Sequence, residues 1–203
     1  MGSRRPPEAE GPARAAGGGN RVRLIAGTHR GRKLAFPDAA GLRPTGDRVR
    51  ETLFNWLQGV LPGARCLDLF AGSGALGLEA ASRGAAEVVL VESAPAVACA
   101  LRANVATLGF GDRVRVVEAD ALRWLATARP VGFDVVFLDP PFASGLLGPA
   151  LDALERGGWL ADGVRIYLER SGAGGWPLPE GLTLLRDKRA GQVAYALAGR
   201  ASG

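Results

Sequence analysis

The sequence predicts a doubly wound α/β domain, and three observations lead there. From residue 65 onward, short apolar runs alternate with helix-like stretches, the pattern of a parallel sheet covered on both faces. The first run ends in a glycine-rich turn of the kind that opens a helix, and the fourth ends in a rigid Asp-Pro-Pro-Phe turn at the carboxyl edge, where such sheets hold ligands.

The strand candidates are residues 65–70, 87–92, 113–118, 134–139 and 164–169, with helix candidates at 75–83, 95–108, 121–128 and 146–155 between them. Residues 182–188 and 192–197 flank Arg189-Ala190-Gly191 and predict an antiparallel hairpin at one sheet edge. Ahead of the sheet, residues 21–26 and 33–36 flank the basic stretch Gly27-Thr28-His29-Arg30-Gly31-Arg32, which predicts a second hairpin. Helix-start signals at Pro44-Thr45-Gly46-Asp47 precede Val49, Leu53, Trp56 and Leu57, spaced for one apolar face. The expected organisation is a tail at 1–20, a basic hairpin-plus-helix appendage at 21–60 and one main domain at 61–199. The tail, rich in Gly, Pro, Ala and Arg without periodicity, reads as disordered.

Charge is unevenly placed. Of the net +5, residues 21–50 supply +6 and residues 51–203 supply −2. Arg21, Arg23, Arg30, Arg32 and Lys33 are therefore the candidate phosphate contacts of a nucleic-acid-binding arm. His29, the only histidine, reads either as an exposed loop residue or as a further contact. Cys66 and Cys99 form no CxxC pair and have no histidine cluster nearby, so they are expected as core residues in a reducing cytoplasm, with neither disulfide nor metal. No run approaches the ~20 apolar residues of a membrane span. The four tryptophans, Trp56, Trp124, Trp159 and Trp176, are expected to pack rather than to bind bases.

Asp68-Leu69-Phe70-Ala71-Gly72-Ser73-Gly74-Ala75-Leu76-Gly77 holds a GxGxxG pattern between a strand and a helix. Dinucleotides and S-adenosylmethionine both suit such a loop, but a carboxylate at Asp68 would repel a pyrophosphate and suits a ligand bearing an ammonium and a sulfonium. Glu92, ending the second strand, can accept from both hydroxyls of a ribose. Asp120, after the third strand and just before Ala121, can accept from an adenine amino group or cap the following helix.

The tetrad Asp139-Pro140-Pro141-Phe142 carries the strongest signal in the chain. Two prolines fix the turn and remove its amide hydrogens, so the Asp139 carboxylate and the Pro140 carbonyl are left as acceptors for one NH2 group. An exocyclic amine is a poor nucleophile because its lone pair is conjugated with the ring. Two acceptors out of the ring plane draw it toward tetrahedral geometry, and Phe142 offers a face for an unstacked base.

With these motifs the chain resembles the N-methyltransferases that carry a D/N-P-P-F/Y/W motif. More closely it resembles the RsmD family of bacterial 16S ribosomal RNA guanine-N2 methyltransferases. The closer match lies in residues 43–56 (RPTGDRVRETLFNW), in residues 68–80, in Gly158-Trp159-Leu160 and in residues 190–195 (AGQVAY). The resemblance implies a Rossmann-like class I methyltransferase sheet, S-adenosylmethionine as cofactor, and a guanine N2 of small-subunit RNA as substrate, within an assembling or assembled subunit. It also implies that Arg43, Thr45, Asp68, Phe70, Gly72, Ser73, Gly74, Glu92, Asp120 and Ala121 hold the cofactor, and that Asp139, Pro140, Pro141 and Phe142 hold the base. Thr45-Gly46 departs from the usual pair of hydroxyl residues at that point.

Four other chemistries fit parts of the pattern. A DNA adenine-N6 methyltransferase shares the acceptor pair but requires a duplex-recognition domain that this length leaves no room for. A release-factor methyltransferase normally has Asn at the first tetrad position. A cytosine-C5 enzyme needs a nucleophilic cysteine beside a proline, and neither cysteine has one. A nicotinamide-dependent dehydrogenase is opposed by Asp68 and by the tetrad, and a non-catalytic RNA-binding module on the same fold is told from an enzyme by measuring turnover as well as S-adenosylmethionine binding.

Overall fold

The computed structural model of the 203-residue chain describes residues 20–38, 45–172 and 174–200. The expected tail, apart from Asn20, and the candidate cofactor residue Arg43 lie outside the described residues.

The chain runs β1 (Asn20–Arg23), β2 (Lys33–Phe36), α1 (Asp47–Trp56), β3 (Arg65–Asp68), α2 (Gly77–Ser82), β4 (Glu87–Glu92), α3 (Pro95–Thr107), β5 (Val114–Glu118), α4 (Ala121–Thr127), β6 (Phe133–Leu138), α5 (Leu147–Arg156), β7 (Leu160–Ser171), β8 (Leu182–Ala190) and β9 (Val193–Arg200). A short 3-10 turn covers Phe142–Ser144. Seven strands form one sheet in the order β5-β4-β3-β6-β7-β9-β8. The five from β5 to β7 are parallel, and β9 runs antiparallel to both its neighbours. This is the expected doubly wound sheet with its C-terminal hairpin. The strand order reverses between β3 and β6, and a crevice opens at such a switch point.

Alternation along the strands divides the core in two. Cys66, Val88, Leu90, Val135, Phe137, Tyr167, Tyr195 and Leu197 face α1, α2, α3 and the β1–β2 hairpin. Leu67, Val89, Val91, Val136, Leu138, Ile166 and Leu168 face α4 and α5. Buried on both faces, the parallel strands read as continuous apolar runs. The N-terminal hairpin belongs to the first layer: Val22, Leu24, Leu34 and Phe36 are buried in the same cluster as the sheet.

A charged pin holds the hairpin there. Glu79, fully buried on α2, accepts from the backbone N–H groups of Ile25 and Ala26 at 2.7 and 3.0 Å and from Arg83 Nε at 2.7 Å. Arg50, fully buried on α1, donates to the carbonyls of Thr45 and Arg23 and to Asp47 Oδ1, and lies 3.9 Å from Glu79. Arg50 is thus an internal charge, although it counts toward the basic excess of residues 21–50.

The hairpin spans the domain from edge to edge. Its open end, at Asn20, Arg21, Phe36 and Asp38, reaches the crevice. At its turn, Thr28 N–H donates to the Ser82 carbonyl at the end of α2, and the His29 ring meets Phe110 edge-on at 4.4 Å. Ser82 and Phe110 lie at the amino edge, because each helix runs back from the carboxyl edge of the strand before it.

Two expectations change. Cys66 is buried, but Cys99 is exposed on the outer face of α3, so only one cysteine is a core residue. The first sheet helix starts at Gly77 rather than residue 75, because the Asp68 carboxylate takes the Gly77 N–H at 3.0 Å and the chain before it is occupied in turning.

Candidate functional site

The carboxyl ends of β3, β4, β5, β6 and β7 surround one open cleft of about 1490 Å³. Small-molecule pockets usually enclose about 300–1,000 Å³, so there is room for a nucleoside cofactor and part of a second ligand.

The glycine loop forms one wall. Gly72 and Gly74 have φ values of 50° and 77°, in the left-handed region that glycine alone enters without penalty. Gly72 lines the cleft, as do Asp68, Phe70 and Ser73. Gly74 does not: a Cβ there would come within 2.8 Å of Leu101 and Leu78, so that glycine serves the close approach of the loop to α2 and α3. At Gly77 a Cβ would strike Leu90 at 2.2 Å, which explains the third glycine of the pattern by packing.

Glu92 accepts from the backbone N–H groups of Gly72 and Ala94, at 2.9 and 2.8 Å, through separate oxygens. Each oxygen keeps a second lone pair for a ligand hydroxyl. Asp120 caps α4 by accepting from the Arg123 N–H at 2.9 Å, and both Asp120 and Ala121 line the cleft, so the cap and a ligand contact coexist. Asp68 is buried, and burial pushes its carboxyl up to about 7, opposed by the bond from Gly77.

Across the switch point stands the tetrad. Pro140 is buried, Asp139 is half-buried and Phe142 is 50% exposed, its ring being one of few large apolar groups on the surface among the described residues. The Thr45 hydroxyl donates to Asp139 Oδ2 at 3.2 Å. Burial, and then the neighbouring Glu169, hold the Asp139 carboxyl well above the usual carboxylate range.

Glu169 is the site residue that the sequence reading missed. Leu138, the last residue of β6, pairs with Leu168 on β7, so Asp139 and Glu169 follow at matching positions of neighbouring parallel chains and on the same face. Both line the cleft. Glu169 is buried and accepts from the Tyr167 hydroxyl at 2.6 Å; its carboxyl is raised by burial, with the Tyr167 and Thr45 hydroxyls working against that. The signal was Tyr167-Leu168-Glu169, a strand whose end carries an acid where the adjacent strand carries Asp139.

The predicted basic arm is not brought together at the cleft. Of its five residues only Arg21 lines it. Arg23 lies 3.6 Å from Asp47, and Arg30 and Arg32 are exposed beside the hairpin turn at the amino edge. Lys33, opposite Arg23 in the ladder, is also exposed. As for the tryptophans, Trp124 and Trp159 are buried against each other, Trp56 stacks on Tyr195, and Trp176 lies under Arg170.

Comparison with known proteins agrees with this arrangement. Residues 22–199 match the family model described as conserved hypothetical protein 95. The chain is 52% identical over 181 residues to the ribosomal RNA small subunit methyltransferase D of Escherichia coli K12, covering 89% of this chain and 90% of that protein. It is 45% identical over 178 residues to the protein of the same name from Haemophilus influenzae, covering 87% and 92%. Among solved structures, a putative methyltransferase from E. coli, yhhF, superposes with a TM-score of 0.83 at 52% identity, covering 89% of this chain and 98% of that one. A putative methylase from H. influenzae, HI0767, superposes with a TM-score of 0.78 at 40% identity, covering 90% and 100%. With the family model spanning nearly all of the described residues and the relatives matched almost end to end, the chain belongs to the RsmD family.

Proposed function

We propose that this protein transfers a methyl group from S-adenosylmethionine to the exocyclic N2 of a guanine in 16S ribosomal RNA, in the cytoplasm, within an assembling or assembled small subunit. The observation that carries the reading is that the glycine loop and the Asp139–Phe142 tetrad form opposite walls of one cleft. Residues 61–199 are the catalytic unit on this reading, and residues 21–60 are an appendage that brings Arg21 and Thr45 to the cleft.

The cofactor site fits its ligand chemically. Glu92 offers free lone pairs to ribose hydroxyls, Asp120 and Ala121 stand where an adenine edge would lie, and Asp68 and Thr45 stand toward the methionine end. Arg43, two residues before Thr45, completes the set that the resemblance implies. When bound, the sulfonium supplies an electrophilic methyl group. Asp139 and the Pro140 carbonyl hold the two amine hydrogens, and Phe142 stacks against the base, which is worth about 1–3 kcal/mol. With the methyl group accepted by the amine nitrogen and the bonding pair left on sulfur, the Asp139 side chain, as carboxylate, would take the N–H proton that the amine gives up.

Glu169 favours guanine over adenine. Guanine presents an N1–H beside its amine, and a second carboxylate next to Asp139 accepts it; adenine has a lone pair at the position beside its amine, which that carboxylate would oppose.

Tritiated methyl transfer to naked ribosomal RNA and to small subunits from cells lacking the modification, followed by digestion to nucleosides, tests the reading. N2-methylguanosine is expected. N6-methyladenosine would keep the tetrad chemistry and discard the guanine assignment, and cofactor binding without any transfer would favour the non-catalytic module.

A further inference from the structure

A second pocket, of about 420 Å³, opens at the carboxyl edge beside the cleft. Arg48, Lys188 and Arg189 line it, with the hydroxyl residues Thr52 and Tyr195, and no carboxylate contributes to the lining. These residues come from distant parts of the chain. Arg48 and Thr52 lie one turn apart on α1, whereas Lys188 and Arg189 end β8 at the turn that β9 leaves. Three like charges drawn into one depression repel each other, and none of the three forms an ion pair among the described residues. Such a convergence favours a polyanion.

Its position relative to the cleft decides which one. Gly46 and Gln192 line the cleft, and Arg48 and Gly191, two residues and one residue away, line the pocket. A chain with one base in the cleft continues over this boundary. By contrast, Arg30 and Arg32 at the hairpin turn lie at the opposite edge of the sheet. Two of the lining side chains are held by one ring behind them: Tyr195 stacks on Trp56 at 5.6 Å between centroids, and the Lys188 ammonium stands 5.9 Å over the same ring. Arg189 spends one nitrogen on the Gly172 carbonyl at 2.5 Å and keeps others for a ligand.

We infer that the Arg48–Lys188–Arg189 pocket is an RNA phosphate subsite that grips the backbone next to the target guanosine. It rests on the function proposed above and extends it, since it places the RNA path over the β8–β9 turn rather than along the hairpin tip. Neutralising phosphates releases counterions, so each lost contact lowers the dependence of binding on salt.

The test uses the full-length Lys188→Gln/Arg189→Gln variant, both positions being exposed on an edge strand, with small subunits lacking the modification as substrate. The expected result is a KM for subunits raised roughly 10-fold, a shallower salt dependence, kcat within about threefold of the parent and unchanged S-adenosylmethionine affinity. Lys188→Arg, which keeps the charge, should behave as the parent. An active variant with parental KM and salt slope would overturn the subsite while leaving the functional reading intact. A parent protein that methylates no ribosomal RNA would overturn both, so the two failures are told apart by the parent's own activity.

Discussion

The Thr45 hydroxyl donates to Asp139 Oδ2 at 3.2 Å, tying a residue two positions before α1 to the one that follows β6 across 94 positions of sequence. The bond orients the Asp139 carboxylate and couples the N-terminal segment to the cleft.

Thr45→Val keeps the shape and removes the donor. Losing one hydrogen bond to a carboxylate costs about 1.5 kcal/mol, so kcat for methyl transfer should fall roughly 10-fold, and Thr45→Ser should restore most of it. Steady-state kinetics on small subunits measures this. A Thr45→Val enzyme with full kcat would mean that Asp139 is oriented without it.

Asp139→Ala should reduce transfer by at least about 100-fold while cofactor affinity, read by calorimetry, stays within a few-fold, because the proposed mechanism has the carboxylate act on the base. Phe142→Ala should be milder, raising KM roughly 10-fold through lost stacking. Full turnover by Asp139→Ala would sink the mechanism.

Reversing Arg21 should raise KM for subunits about 10-fold, and reversing Arg30 and Arg32 together should raise it less, because Arg21 lines the cleft and the other two lie at the far edge. Equal effects would show RNA running the full length of the hairpin.

The free protein should lose stability as pH rises. Asp68 keeps its proton to about pH 7 when folded and gives it up near 3.8 when unfolded. Its contribution is complete below about pH 3.8 and is lost progressively as pH climbs through 7; Asp139 and Glu169 are raised in the same direction. At about 1.4 kcal/mol per unit of separation, Tm should fall by several degrees between pH 5 and 8. Asp68→Asn should flatten that fall, and a Tm that rises over this range would contradict the burial argument.

The order of strands and helices, the glycine loop and the tetrad were legible in the sequence because each is written locally. Apolar periodicity fixes the elements, glycine and proline fix their turns, and an acid ending a strand in this fold faces the ligand crevice. Asp68, Glu92, Asp120 and Asp139 were found that way. What lay beyond reach depends on which strands become neighbours. Glu169 matters because β7 pairs with β6 in a register that sets it beside Asp139, and no spacing between residues 139 and 169 encodes that pairing. Where the basic arm lies was out of reach for the same reason. Composition counts charges, but only packing put Arg50 inside, sent Arg30 and Arg32 to the amino edge, and drew Arg48 to Lys188 and Arg189. The sequence by itself determined the chemistry available at the site; the tertiary structure decided which charges face it, because charge acts through distance and burial, and both are set by contacts between segments far apart in the chain.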